Sequence, residues 1–544
     1  MKLILDGKAR MPTKMPRSKS LLALSSATID GLLMSGLCAL LTLGWVAVVP
    51  TMAASDPKQA LPPAVKSCQE AGPKGCVALA LNAVGGQHSL ENLKSLRTTA
   101  TQHTMLMEQS YRQEPFIASY ERLKTTIDFS SGKIYNEMDE TWPEADDAQS
   151  DFKLTSVIGN EGGVSKLNGK DVPCSPADLD AARYELALGS SRILLTALNA
   201  DDLHLDGTES LRSTRHDVLA FTWHGKRVRV LLNAFNHLPD AVDTVDTFFD
   251  FWRYWGDVHR RVYFDNWKLR AGVRYPTNII DERNGAIWRS TQILSVEPNI
   301  TLDPALFKMD PAAASQSAKR AGQGTPKLGA GADLAPGITL HEGSWNCTIV
   351  KQSDGIVILE APISGNSIQA VVDEARRLYP GLEIKAVLST SDSWPHVGGI
   401  RQCVALGLPI YILDLNRPLL ERLVAAPHKI SPDLLAHSPK KPDWKIVSGK
   451  VEIGSGKNRI EIYPLRGAST ERQYMVYFPE HKLLYASDTL VLNQDNSLYD
   501  PELMHEVIEA VDREKLQVTT VYAMHQGALA WTKVVALVQR ELAQ

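Results

Sequence analysis

A chain of 544 residues, 44% hydrophobic and 22% charged, is long enough for roughly two to four domains with sizeable cores. Its net charge of −4, with no long basic run after the N-terminal segment, gives no footing for nucleic-acid binding. Its six cysteines include no C-x-x-C spacing, which argues against a cysteine-ligated zinc.

Residues 1–54 read as a targeting segment. Lys2, Lys8, Arg10, Lys14, Arg17 and Lys19 precede an apolar run from Gly31 to Val49, and small residues come next at Ala53 and Ala54. Positive flank, apolar stretch and small-residue site are the features of a cleaved secretory signal. The run also approaches the ~20 residues that span a bilayer, so an uncleaved N-terminal membrane anchor is the alternative. Either way the remainder is expected to be periplasmic or otherwise exported, touching membrane only through this segment. Cys38 lies in the apolar run without the small residue that precedes a lipoprotein cysteine. Export permits disulfides. Cys68 and Cys76 enclose a short loop containing Gly and Pro and are the expected pair; Cys174, Cys347 and Cys403 are left, an odd set with at least one buried thiol.

Residues 60–310 are expected to form a β-rich domain. Val77 to Val84 and Leu90 to Leu96 repeat apolar residues at helical spacing around Gly85-Gly86. Short alternating runs come after them, such as Val218 to Trp223 and Val228 to Leu232, separated by Gly, Asn and Asp turns. An aromatic segment, Phe248 to Gly256, leads into Arg261 to Lys268, and Asn284-Gly285 reads as a hairpin turn before Gln292 to Val296. This pattern resembles the curved antiparallel sheet of periplasmic lipoprotein-carrier domains, which would cradle a small or lipophilic ligand. The competing reading has the aromatics filling the core between sheet and helix. Residues 311–334 are small, polar and glycine-rich and read as a linker.

Over 335–544 strands alternate with helices. Cys347 to Lys351 and Gly355 to Glu360 read as strands, Ser367 to Leu378 as a helix, Ile384 to Leu388 as a strand, Ile400 to Leu406 as a helix and Pro409 to Leu413 as a strand. Between the second of these helices and the strand before it lies Ser389-Thr-Ser-Asp-Ser-Trp-Pro-His-Val-Gly-Gly399. This loop resembles the T-H-x-H-x-D-H-x-G-G loop of the metallo-β-lactamase superfamily, with Thr390, His396, Gly398 and Gly399 matching. Tyr474 to Asp488 is similar to that family's strand, turn and strand ending in a metal-bridging aspartate, and Val521 to Gly527 to its closing histidine strand. The resemblance implies an α+β chain whose C-terminal domain is an αββα sandwich, preceded by a mainly antiparallel curved sheet.

The resemblance also implies what has been lost. In the family, alternate residues of an extended loop aim two imidazoles at one ion, while an adjacent D-H pair serves a second, close enough for a shared hydroxide. Here Ser391 and Ser393 stand where the leading histidines belong, Pro395 where the loop aspartate belongs, and Ser469 where the middle histidine belongs. The first ion's site is therefore expected to be empty, and a dinuclear zinc hydrolase is not expected. His396, Asp488 and His525 keep the second ion's set. They hold one Zn²⁺ or Fe²⁺ with open positions for water, or else they bond one another in an ion-free polar pocket. Asp392, between the serines, is expected to point away from them and to cap the loop or the next helix. His505 falls on a helical surface, and His428, His437 and His481 on loops. Ser391 or Ser393 beside His396 and Asp488 superficially supplies a Ser/His/Asp set, but there is no G-x-S-x-G elbow.

The reading is an exported pseudoenzyme with a degenerate site, weakly active or inactive, that acts by binding. The alternative is a mononuclear metallohydrolase that cleaves an ester, thioester or amide with a metal-bound water. No residue is assigned a catalytic role, and no protein partner is indicated.

Overall fold

The computed structural model describes residues 67–106, 117–141, 151–167, 170–320, 328–343, 345–493 and 495–543. All of them belong to one compact unit, Ser67–Gln544. The targeting segment and Cys38 lie outside the described residues. No helix among the described residues is long and apolar enough to cross a membrane.

Among the described residues the β-rich half is built on an antiparallel sheet of thirteen strands, running from Lys170–Pro173 at one edge to His204–Leu211 at the other, with a separate pair of short strands, Lys268–Arg270 and Val273–Tyr275. Its middle is the pairing of Ser95–Met105 with Ala286–Pro298. Alternation sorts its side chains. Leu219, Phe221, Val228, Val230, Val242 and Val262 share a core with Val77, Leu81 and Val84 of helix Cys68–Val84 and Ile193 of helix Ile193–Leu198. On the other side of the same strands Asp243 pairs with Arg229 and Arg261. Cys68 and Cys76 are disulfide-bonded within the first turns of their helix, and Cys174, Cys347 and Cys403 are all buried thiols.

Local expectations are met at the Asn284-Gly285 hairpin and revised at other points. Helical structure stops at Glu91, and Ser95 opens a strand. Asn284 and Gly285 take φ of +49° and +83°, the left-handed pair that a tight hairpin needs. The aromatic segment becomes a 3₁₀ turn, Phe251–Trp255. Its Trp252 clusters with Trp288 and Phe248 around the buried guanidinium of Arg283, 3.2 Å from the Trp288 ring centre and 3.8 Å from that of Phe248. The protein's own arginine fills this aromatic cluster. The segment read as linker is ordered at both ends, as helix Pro311–Arg320 and strand Gly331–Ala335. The helix beds on bare backbone: a Cβ at Gly162 would lie 2.1 Å from Ala314 O.

The rest is a four-layer sandwich. One sheet runs, in order, through Gly331–Ala335, Ile338–His341, Cys347–Gln352, Gly355–Leu359, Ile384–Ser389, Pro409–Leu413 and Asp443–Val447. Its last three pairings are parallel. The other runs from Val451–Ile453 to Leu529–Ala530 through Ile460–Pro464, Tyr474–Phe478, Leu483–Tyr485 and Thr520–Tyr522. Between the sheets lie Val357, Leu359, Ala386, Leu388, Ile462, Val476 and Tyr485. Ile356 and Ile358, pointing the other way, pack under helices Gly365–Leu378 and Ile400–Leu406. Met475, Tyr477 and Leu484 pack under Pro501–Arg513 and Trp531–Leu542. The order of layers is α, β, β, α.

Candidate functional site

The site forms where Gly355–Leu359 and Ile384–Ser389 end side by side. Glu360 comes directly after the first of these strands, its amide bonded to Leu388 O at 2.8 Å. Its φ is +77°, and that of Ser487, just before Asp488, is +55°. A non-glycine residue held in this region costs about 1–3 kcal/mol, a strain that collects at functional sites. The Glu360 carboxylate is fully buried. It accepts from His396 Nδ1 at 2.8 Å, Tyr485 Oη at 3.0 Å and the Thr390 hydroxyl. Thr390 Oγ1 in turn lies 2.7 Å from Ser487 Oγ, so both sheets contribute to one polar knot.

His396 stands on a one-turn helix, Trp394–Val397, rather than on an extended loop, because Pro395 in its first turn favours helical backbone. Gly398 and Gly399 let it pack closely. A Cβ at Gly398 would fall 2.2 Å from Ile363 O, and one at Gly399 2.9 Å from Ala361 O. His396 Nε2 is buried without a hydrogen-bond partner, 3.6 Å from Asp488 Oδ2. His525 Nε2 lies 3.0 Å from Asp488 Oδ1. Asp488 is thus set between two imidazoles, its amide fixed by Gln473 Oε1 at 3.1 Å. Burial alone would push His396 down, but the Glu360 and Asp488 carboxylates outweigh it and raise the imidazole to about 10. Burial would push Asp488 up, yet His525 and His396 hold its carboxyl well below the usual range.

These positions bear on a metal in two ways. Donors ~2.0–2.2 Å from one ion at near-tetrahedral angles stand roughly 3.3–3.5 Å apart, and the 3.0 and 3.6 Å contacts bracket that spacing. The contacts run to different oxygens of Asp488, however. Among the described residues no group of three or more His, Cys, Asp or Glu side chains is placed to hold an ion. The spacing fits and the convergence does not.

Ser391 and Ser469, at two of the lost positions, make other bonds. Ser391 Oγ accepts from the Ser393 amide at 3.3 Å, and Ser393 Oγ is buried without a partner. Ser469 belongs to a turn tied to Glu506, which accepts from its amide at 3.0 Å and from Thr470 Oγ1 at 2.7 Å. Asp392 pairs with Arg472 at 2.6 Å and so joins two loops. His505 lies 3.5 Å from Glu509 on a helix surface, and His481 Nε2 lies 2.8 Å from Asn458 Oδ1. His437 is exposed. Trp345 meets Trp394 edge-on at 5.0 Å between ring centres and His525 at 6.4 Å, walling the site with aromatic surface.

Glu360 is the residue that the motif reading misses. The signal was present: a glutamate closing the apolar strand Ile356–Leu359 is buried by position and must find a partner.

No family model and no curated protein matches the chain. Among solved structures it is similar to the metallo-β-lactamase from Pontibacter korlensis, 15% identical over 39% of this chain and 99% of that one, with a TM-score of 0.31. It is similar to the DIM-1 metallo-β-lactamase at 17% identity over 40% and 99%, with a TM-score of 0.30. To the inverting sec-alkylsulfatase Pisa1 from Pseudomonas sp. it is similar at 12% identity over 39% of this chain, with a TM-score of 0.29, and it spans 40% of that enzyme's length. At such identities the likeness concerns fold alone; the αββα order stands on the strand pairings themselves.

Proposed function

We propose that this is an exported protein of metallo-β-lactamase-like fold that acts by binding a small or lipophilic ligand, with its two-metal chemistry lost. One observation carries this reading: Asp488 offers one oxygen to each of two imidazoles, and Glu360 balances His396. Asp488 already stands against both imidazoles, and Ser391, Ser393 and Ser469 supply no further imidazole. The aromatic wall of Trp345 and Trp394 gives a ligand apolar surface beside this polar knot.

A second reading, a mononuclear metallohydrolase, is favoured by the orphaned His396 Nε2. Its other nitrogen is held by Glu360, as a carboxylate orients a metal-ligating imidazole. His396, Asp488 and His525 would then hold the ion, which when bound supplies a nucleophilic water at neutral pH. Elemental analysis of protein purified without chelator, beside an Asp488→Ala, His525→Ala variant, separates the two. The binding reading expects zinc and iron well below one per chain and no turnover of esters, thioesters or lactams. One ion per chain, lost in the variant, replaces it with the second reading.

A further inference from the structure

We infer that His428 is an acid-sensitive latch that holds the β-rich domain on the sandwich and releases it when the ring takes up a proton. The contact between the two is specific. Trp255 and Tyr254 of the 3₁₀ turn pack against the sandwich's helical core. Gly256 comes next at φ +68°, where a Cβ would lie 2.4 Å from His428 Cδ2 and 2.6 Å from its Nε2. The Asp257 amide donates to Pro427 O at 2.8 Å, and its carboxylate accepts from the Lys429 and Ile430 amides at 2.8 and 3.0 Å. The His428 ring lies inside this contact, its side chain 8% exposed, and Nε2 has no hydrogen-bond partner.

The Ser431 backbone accepts one ring N–H, so a second proton falls on Nε2, which is buried without an acceptor. Nε2 faces Gly256. Nδ1 is 3.7 Å from Asp433 Oδ2, and Asp433 is already bound by Arg401 at 2.6 Å. Arg401 itself is fixed by the carbonyls of Leu423, Val424 and Ala426. The groups facing the ring are therefore Arg401 and Asp433 from the sandwich and Asp257 from the β-rich domain, with Lys429, His437 and Lys440 around the open cavity of about 460 Å³ that the ring borders. That cavity gives water access to the ring. Burial and the Arg401 guanidinium hold the imidazole below its ordinary value, against Asp433, Asp257 and the Ser431 backbone. A depressed histidine stabilises the closed contact above the ordinary value and costs stability as pH falls through it.

Hydrogen exchange of the Lys429 and Ile430 amides tests the latch, between about pH 7.5 and about pH 5.5, either side of roughly 6.5. With the chemical effect of pH on exchange removed, their protection is expected to fall by up to about tenfold per pH unit, the limit for one proton. The Ile358 and Val476 amides, deep in the sandwich, stay protected. In His428→Gln the fall disappears. Unchanged protection in the natural protein, or an equal fall in the variant, overturns the proposal. If the variant does not fold, the His428 ring is titrated by NMR in the natural protein, and a value at or above that of free histidine overturns it.

Discussion

Glu360 shows how a single side chain sets the character of the site. It is buried, strained in φ, and bonded to His396, Tyr485 and Thr390 at once. Removing it leaves an uncompensated buried imidazole, so Glu360→Ala is expected to cost about 3–5 kcal/mol in denaturant unfolding, with Glu360→Gln milder because one acceptor remains. The pH dependence has a definite sign. His396 is raised to about 10, so its contribution is full below roughly 6.5 and is lost as pH rises through about 10. In chelator-treated protein the unfolding midpoint is expected to drop across that upper window, and by less in Glu360→Gln. His396, Asp488 and His525 were legible in the sequence because ordered motifs mark them. Glu360 is marked in the sequence only as a glutamate closing an apolar strand; its partners depend on the backbone turn after that strand and on Tyr485 of the opposite sheet. The fate of Asp392 was hidden for the same reason: Arg472 is its partner only in three dimensions.

At the scale of elements, the Gly398-Gly399 pair holds the His396 helix against the 361–363 backbone. Gly398→Ala is expected to destabilise by about 1–3 kcal/mol through overpacking, measured by thermal unfolding, and to weaken ligand or metal binding together with stability. In the β-rich half, burial raises Glu185 on helix Pro176–Leu188 to about 7 despite Arg260. A raised acid contributes most at low pH, so stability is expected to fall by up to about 3 kcal/mol as pH rises from roughly 4.5 through 7. Glu185→Gln should flatten that slope. The strands and helices of the sandwich were readable from period-2 and 3.6-residue patterns, since each strand buries a face. Length and composition misled elsewhere. Leu90 to Leu96 has helical spacing, yet its last two residues enter a strand, Leu96 opposite Pro298, and the helix that starts at Pro311 packs Ala314 and Ser317 against bare backbone at Gly162.

At the scale of the molecule, the thirteen-stranded sheet and the sandwich meet through a narrow contact built on Trp255, Gly256 and Asp257. No sequence pattern announces this contact, because it joins residues about 170 apart in the chain. Asp257→Ala removes the acceptor for two amides and is expected to raise exchange at Lys429 and Ile430 at every pH, whereas His428→Gln abolishes only its acid dependence. Whether Asp488 stands between two imidazoles in place of an ion is decided by anomalous diffraction at the zinc edge from crystals grown in excess zinc. No peak is expected among His396, Asp488 and His525, with Asp488 within hydrogen-bond distance of His525. A peak ~2.0–2.2 Å from all three side chains would contradict it.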